Sequence, residues 1–257
     1  VSELPVELRR ALTKAALVPR LLVASDFDGT LAPIVSNPGD ARPLSAGSDA
    51  LRTLADLPDT WAALISGRSL HDLTTLSGAP AGVELIGSHG AEFSTGFAHE
   101  IDTALLAEIR ASLAAIAAAH PGVTVEPKPA SVALHVRNAS PDDANAALEA
   151  ARAAARPWPV ELTAGKAVLE FAVIATDKGE AIEVLRNRIY ASAVAFFGDD
   201  VTDEKAFRRL RAPDIGVKVG PGETLAGFRV DSPAEVVDAL ALLLTTRTTA
   251  FLPPRGR

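Results

Sequence analysis

Cysteine is absent from the chain. Disulfides, thiolate zinc sites and cysteine nucleophiles are therefore excluded. The five histidines, His71, His89, His99, His120 and His135, include no pair four residues apart, which argues against a zinc hydrolase. No block of basic residues stands against the formal net charge of -7, so nucleic acid is not an expected partner. An anionic small substrate stays open if basic groups gather at a site. No apolar run approaches the ~20 residues needed to span a bilayer. The stretch from Glu3 to Leu17 mixes charges with leucines and has no signal-peptide core. The expectation is a cytoplasmic protein with no membrane partner. Methionine is missing even at position 1. At 257 residues and 48% hydrophobic, the chain can form one large domain or two modest ones with a sizeable core.

Strands and helices alternate in the first part of the sequence. Leu21 to Asp26, Trp61 to Ile65 and Val83 to Gly87 read as strands, with helices over Ala46 to Leu57 and Leu70 to Leu76 between them. That rhythm predicts a parallel sheet covered on both faces. The pattern changes near Gly96. A long alanine-rich helix, Ile101 to Ala119, precedes strands at Val123 to Glu126 and Ser131 to Arg137. A helix over Pro141 to Arg156 and a strand pair, Val160 to Thr163 and Ala167 to Val173, follow. Paired strands with helices on one face predict a small α+β unit. The first rhythm then resumes, with helices at Lys178 to Arg188, Thr202 to Leu210 and Pro233 to Leu244, and strands at Val194 to Phe197 and Ile215 to Val219. The final Pro253-Pro254-Arg255-Gly256-Arg257 reads as a frayed tail.

Four motifs fall at predicted strand or helix ends. Asp26-Phe27-Asp28-Gly29-Thr30 follows the apolar run Leu21-Leu22-Val23-Ala24. Residues two apart on a strand point the same way, so Asp26 and Asp28 would project together from its carboxyl end. Two carboxylates at one spot repel unless a cation intervenes or one takes a proton. That suggests a Mg²⁺ site with one nucleophilic and one proton-shuttling acid. The same residues also make good turns and helix caps. Ser66-Gly67-Arg68 offers a hydroxyl and main-chain N–H groups to a phosphate, or an ordinary N-cap. Asp177-Lys178-Gly179 opens a helix with an ammonium suited to offsetting phosphate charge, or simply a solvated lysine. Gly198-Asp199-Asp200-Val201-Thr202-Asp203-Glu204 places four acids after a strand, which reads as a hard-cation site more than as helix-dipole matching.

In this order and placement the motifs resemble the haloacid dehalogenase-like phosphohydrolases, over essentially the whole chain. The resemblance implies a Rossmann-like parallel-sheet core with helices on both faces, from residues 1–98 and 174–257, and a smaller α+β cap, 99–173, inserted between the Ser66 and Lys178 motifs. It implies that Asp26 attacks phosphorus and that Asp28 protonates the leaving oxygen and then activates water. It further implies that Asp199 binds Mg²⁺ with the Asp26 carboxylate and the Asp28 carbonyl, with Asp200 or Asp203 in support. Thr30, Ser66, Gly67 and Lys178 then hold the phosphoryl group. Asp28 must be protonated at the first step. A neighbouring Asp26 and a closed site would favour that proton, a bound metal would oppose it, and the balance stays open.

Within the insertion, Glu126, Lys128 and Arg137 fall near ends of neighbouring predicted strands, and Lys166 and Glu170 lie on the second pair. With Gly87-Ser88-His89-Gly90-Ala91-Glu92 in the core, they resemble the trehalose-6-phosphate phosphatases. That resemblance implies a cap that closes over the site and selects the sugar, using Arg68, His89, Gly90, Glu126, Lys128, Arg137, Lys166 and Glu170. Independently, a polyhydroxyl substrate calls for several charged, bidentate partners. Each of these charges taken singly also reads as a solvated surface group. His135 alternates with Val132, Leu134 and Val136 and reads as solvent-facing, so it is not counted in the site. The expected reaction is Mg²⁺-dependent hydrolysis of trehalose 6-phosphate. Its rivals are phosphatases for sucrose or mannosylglycerate phosphates, a phosphohexomutase of the same fold, and a non-catalytic sugar-phosphate sensor.

Overall fold

A computed structural model describes residues 4–165, 167–174 and 176–251. Lys166 and the expected tail, Pro253 to Arg257, lie outside the described residues. Main-chain contacts divide the described residues into two compact units, 4–96 with 176–251, and 97–174. No helix among the described residues is long and apolar enough to cross a membrane.

The larger unit begins with α1 (Val6–Ala16), β1 (Leu21–Ser25), α2 (Ser45–Ala55), β2 (Thr60–Ile65), α3 (Leu70–Ser77) and β3 (Val83–Ile86). A short ribbon of β4 (Glu92–Phe93) and β5 (Gly96–Phe97) follows. The smaller unit holds α4 (Thr103–Ala119), β6 (Thr124–Pro127), β7 (Ser131–His135), α5 (Pro141–Ala154), β8 (Glu161–Gly165) and β9 (Val168–Ala172). The chain then returns through α6 (Lys178–Ile189), β10 (Ala193–Gly198), α7 (Val201–Arg209), β11 (Ile215–Val219), β12 (Phe228–Val230) and α8 (Pro233–Phe251).

Six strands of the larger unit form a sheet ordered β12-β11-β10-β1-β2-β3, parallel at every pairing. Side chains alternate between its faces. Leu21 and Val23 of β1 pack with Leu8, Leu12, Leu51, Leu54, Leu240 and Leu243 of α1, α2 and α8. Leu22 and Ala24 pack on the other side with Ile182, Leu185 and Phe207 of α6 and α7. Burial on both faces is why the central strands read as unbroken apolar runs. The smaller unit pairs its strands antiparallel in the order β6-β7-β9-β8. Val132, Leu134, Leu169 and Phe171 pack one face onto Ile109 and Leu113 of α4 and Ala147 and Ala151 of α5.

Three elements depart from the sequence-based expectation. Part of the Glu3 to Leu17 stretch, Val6–Ala16, is helical, and this α1 buries the stripe Leu8, Leu12, Ala15 and Ala16. The last helix runs on to Phe251 instead of ending at Leu244, because its final turns carry the fully buried Arg247. β12 is only three residues long, too short to show a periodicity.

Candidate active site

Parallel register brings distant motifs to one edge. Ser25 lies opposite Phe197 on β10 and Leu64 on β2. The residues that follow these strands, Asp26, Asp199 and Ser66, therefore emerge at the same carboxyl edge. From β1 the chain runs outward to β2 and β3, then returns to the far side of β1 for β10. The strand order reverses there, which is the crevice where open α/β sheets bind ligands.

Asp26 is buried, with 5% of its surface exposed. Its main-chain N–H donates to the Phe197 carbonyl at 2.9 Å. The Lys178 ammonium donates to Asp26 Oδ1 at 2.6 Å and to Asp203 Oδ1 at 2.7 Å. Asp177 caps α6 by accepting from the Glu180 N–H at 2.8 Å, and this sets Lys178 at the first helical position. The other oxygen of Asp203 accepts from the N–H groups of Asp199 and Asp200 at 2.9 and 3.0 Å. Asp203 is fully buried and ties the loop after β10 to Lys178. Asp200 accepts from the Val201 N–H at 2.6 Å and caps α7. Thr30, also buried, donates to Asp199 Oδ1 at 3.4 Å, and Lys218 of β11 donates to the Asp199 carbonyl. Gly29 has φ +78°, and a Cβ there would sit 2.1 Å from an Asp199 oxygen, so only glycine leaves room for that carboxylate.

Carboxylate oxygens of Asp26, Asp199 and Asp203 lie within 4.8 Å of one another. Burial, opposed by Lys178 and reinforced by Asp203 and Asp199, pushes the Asp26 carboxyl well above its ordinary range. Burial, with Asp203 adding to it, pushes Asp199 up to about 6. Burial works against the Lys178 ammonium, but Asp203 and Asp26 outweigh it and raise its pKa. The carboxylates outnumber the ammonium they share. Hard oxygen donors carrying surplus negative charge fit a small divalent cation. Asp203 already has both oxygens engaged, so Asp26 and Asp199 are the side chains suited to bind it.

Asp28 does not join this cluster. Both its oxygens accept from Arg68, at 2.6 and 2.7 Å. Arg68 follows Ser66 and Gly67 at the end of β2. Ser66 is buried, and its hydroxyl accepts from the Arg68 N–H at 3.2 Å. The Ser66 carbonyl accepts from the His89 N–H at 2.9 Å, and the Arg68 carbonyl from the Ser88 N–H at 2.7 Å. A Cβ on Gly67 would lie 2.3 Å from the His89 ring, so the glycine admits that imidazole. Ser88 and His89 have φ of 50° and 56°, left-handed values that non-glycine residues rarely take. Gly90, at φ +108°, passes close to the Asp177 carbonyl, where a Cβ would lie 2.6 Å away. This strained turn thus touches both the Ser66 segment and the segment before Lys178.

In the smaller unit, register aligns Glu126, Ala133, Glu170 and Thr163 in one row across the sheet face away from α4 and α5. Glu170 accepts from Lys128 at 3.1 Å and from the Ser131 hydroxyl at 2.6 Å. His135 Nε2 lies 2.7 Å from Glu126 Oε2. Arg137 is exposed beyond the end of β7. Ser131 was not singled out in the sequence and His135 was set aside as solvent-facing, although both share the parity of Ala133 on β7. Lys218 was missed as well, because a lone lysine inside an apolar strand carries no motif.

A family model for trehalose-phosphatase matches residues 24–233. The chain belongs to the trehalose-phosphatase family. A trehalose-phosphate phosphatase of Mycobacterium avium is 36% identical over 234 residues, covering 83% of this chain and 59% of that protein. One from Mycobacterium marinum is 33% identical over 268 residues, covering 97% of this chain and 68% of its own length. The chain thus spans about 60% of the length of several curated relatives it matches. The Candida albicans trehalose-6-phosphate phosphatase C-terminal domain superposes with a TM-score of 0.79 at 25% identity, covering 95% of this chain and 99% of that one. A trehalose-6-phosphate phosphatase of Aspergillus fumigatus gives 0.70 at 27% identity, covering 93% and 97%. A haloacid dehalogenase-like hydrolase of Bacillus subtilis shares the fold at 15% identity and a TM-score of 0.62. Within the trehalose-phosphatase family match lie the Asp26, Ser66, Lys178 and Asp199 segments and the whole smaller unit.

Proposed function

We propose that this chain hydrolyses trehalose 6-phosphate to trehalose and phosphate through a phosphorylated Asp26, with Mg²⁺ as cofactor. The observation that carries the reading is the joint placement of Asp26, Lys178 and Asp199 at the sheet's switch point, in a chain of this family. Asp26 attacks phosphorus as the bond to the sugar oxygen breaks, and Asp28 gives the leaving oxygen its proton. A water molecule, deprotonated by Asp28, then releases phosphate from Asp26. Lys178 offsets the repulsion between a carboxylate and a phosphate. Asp203 holds Lys178 and the Asp199 loop in place, and Thr30, Ser66 and the main chain at Gly67 receive phosphate oxygens. Asp26, Asp199 and the Asp28 carbonyl would hold Mg²⁺, which would supply Lewis-acid stabilisation of the phosphoryl charge.

The smaller unit acts as the cap that selects the sugar. Its polar face, with Glu126, Lys128 and Glu170 in one patch, supports this, since sugar hydroxyls require fixed charged partners. Arg137, Lys166 and His89 complete the expected sugar contacts. A cytoplasmic location goes with such a substrate, because charged sugar phosphates stay in the compartment that makes them. Phosphate release across a panel of phosphosugars, with Mg²⁺ and with EDTA, tests the reading. Trehalose 6-phosphate should be preferred and EDTA should stop turnover. Preference for a monosaccharide phosphate would remove the trehalose assignment, and formation of an isomerised sugar phosphate would make the enzyme a mutase.

A further inference from the structure

Arg68 is held in place on several sides. Its Nε and one terminal nitrogen donate to the two oxygens of Asp28 at 2.6 and 2.7 Å. The same terminal nitrogen donates to the Pro38 carbonyl at 2.9 Å, and the guanidinium lies 5.8 Å from the centroid of Phe27. Its main chain is fixed by Ser66 and Ser88. With side-chain exposures of 16% for Arg68 and 33% for Asp28, the pair is shielded but reachable from solvent. Two-point contact with a carboxylate is a geometry that lysine cannot supply.

We infer that Arg68 is the positioning residue of the proton-transfer group, holding Asp28 by both oxygens and stabilising the carboxylate that Asp28 becomes. This rests on the phosphatase reading above and gives Arg68 a role other than sugar contact. In the first step the Asp26–phosphorus bond forms and the phosphorus–oxygen bond to the alcohol breaks. The Asp28 proton passes to the departing oxygen, which leaves Asp28 ionised. In the second step Asp28 takes a proton from water, the water oxygen bonds to phosphorus, and the bond to Asp26 breaks. Asp28 is then protonated again and the cycle closes without net proton demand. The two-point contact fixes the plane and direction of the Asp28 carboxyl group in both steps.

A proton donor matters most when the leaving group is poor. Phenyl phosphate and p-nitrophenyl phosphate differ in that respect, and neither carries a sugar. kcat/KM for both esters, with Mg²⁺ present, reports the first step. Arg68→Met should lower kcat/KM for phenyl phosphate about tenfold more than for p-nitrophenyl phosphate, a part of the roughly 10²–10⁴-fold that proton transfer contributes. Arg68→Lys should recover part of that difference, and Arg68→Met should add little to the phenyl phosphate loss already caused by Asp28→Asn. Thermal melting checks the fold, and Arg68→Gln carries the same comparison if Arg68→Met does not fold. Equal losses on both esters, or losses that multiply with Asp28→Asn, would overturn the inference. If the unaltered chain releases phosphate from no ester at all, the phosphatase reading falls first and this inference with it.

Discussion

The Lys178 ammonium lies 2.6 Å from an oxygen of Asp26, a residue 152 positions earlier in the chain. It also lies 2.7 Å from Asp203, so one cation joins the tip of β1, the start of α6 and the first turn of α7. Both carboxylates are buried. The contact therefore belongs to the fold and to the chemistry together.

Lys178→Met should show both. Removing one side of a buried ion pair strands the other, typically at a cost of about 3–5 kcal/mol. Protonation of Asp26, already favoured by its burial, limits that cost. The variant should lose about 3 kcal/mol in urea unfolding and release no measurable phosphate. Stability equal to that of the parent would mean the ammonium is not what holds these carboxylates together.

The acid cluster makes stability depend on pH in the absence of metal. Asp199 rises from an ordinary 3.8 to about 6 in the folded chain, and Asp26 is raised too. A raised carboxyl binds its proton more tightly when folded, so its contribution is present below the unfolded pKa and lost as pH rises through the folded one. Without metal, melting temperature should therefore fall between pH 4 and about 6 on account of this cluster. Mg²⁺ binds the ionised form, so the Mg²⁺-minus-EDTA difference in melting temperature should be near zero at pH 4 and grow above pH 6. A difference that is flat across this range would exclude these carboxylates as the metal ligands.

Much of the core was legible because buried parallel strands write apolar runs, and the runs of β1, β2 and β10 each end in a motif. Asp26, Ser66 and Asp199 were readable that way, as was Lys178 at the start of a helix. The pairing of side chains was not. Asp26 and Asp28 are both expected to project into one acidic site, yet Asp28 turns to Arg68, forty residues on. Sequence parity sets the face of a strand but not the partner a side chain meets beyond its end. Asp200 likewise reads as a supporting acid and serves as a helix cap. On the smaller unit, Glu126, Lys128 and Glu170 could be named singly, but their shared face needed the register of β6, β7 and β9. That register also brought in Ser131 and His135. The helix α1 was obscured because its charged positions interrupt the leucines.

Sugar selection and phosphoryl chemistry should separate by mutation. Glu170 is held by Lys128 and Ser131, so Glu170→Gln leaves the size of the side chain while removing its charge. Glu170→Gln and Lys128→Ala should each raise KM for trehalose 6-phosphate about tenfold or more, in line with loss of one charged hydrogen bond of about 1.5–3 kcal/mol. Their kcat/KM for p-nitrophenyl phosphate should stay within about twofold of the parent. Equal losses on both substrates would count against a sugar-selecting role for this face.

Arg247 provides the opposite test, a residue whose loss should destabilise without touching the chemistry. It is fully buried, and its guanidinium donates to the carbonyls of Ala16, Val18, Pro19 and Asp59 at 3.0, 2.8, 3.2 and 2.7 Å, and to the Thr60 hydroxyl. These partners lie at the end of α1 and just before or at the start of β1 and β2, the sheet edge opposite Asp26. Arg247→Leu removes the hydrogen bonds of a fully buried guanidinium, each worth about 1.5–3 kcal/mol when the donor is charged and less where the acceptor is part-exposed, so a loss of about 3 kcal/mol or more is expected in urea unfolding. Arg247→Lys keeps the charge but cannot reach all these oxygens at once, and should fall between. At temperatures where the variants stay folded, kcat on p-nitrophenyl phosphate should match the parent. A fall in kcat with unchanged stability would mean that this clasp governs the site and not merely the joining of α8 to the sheet.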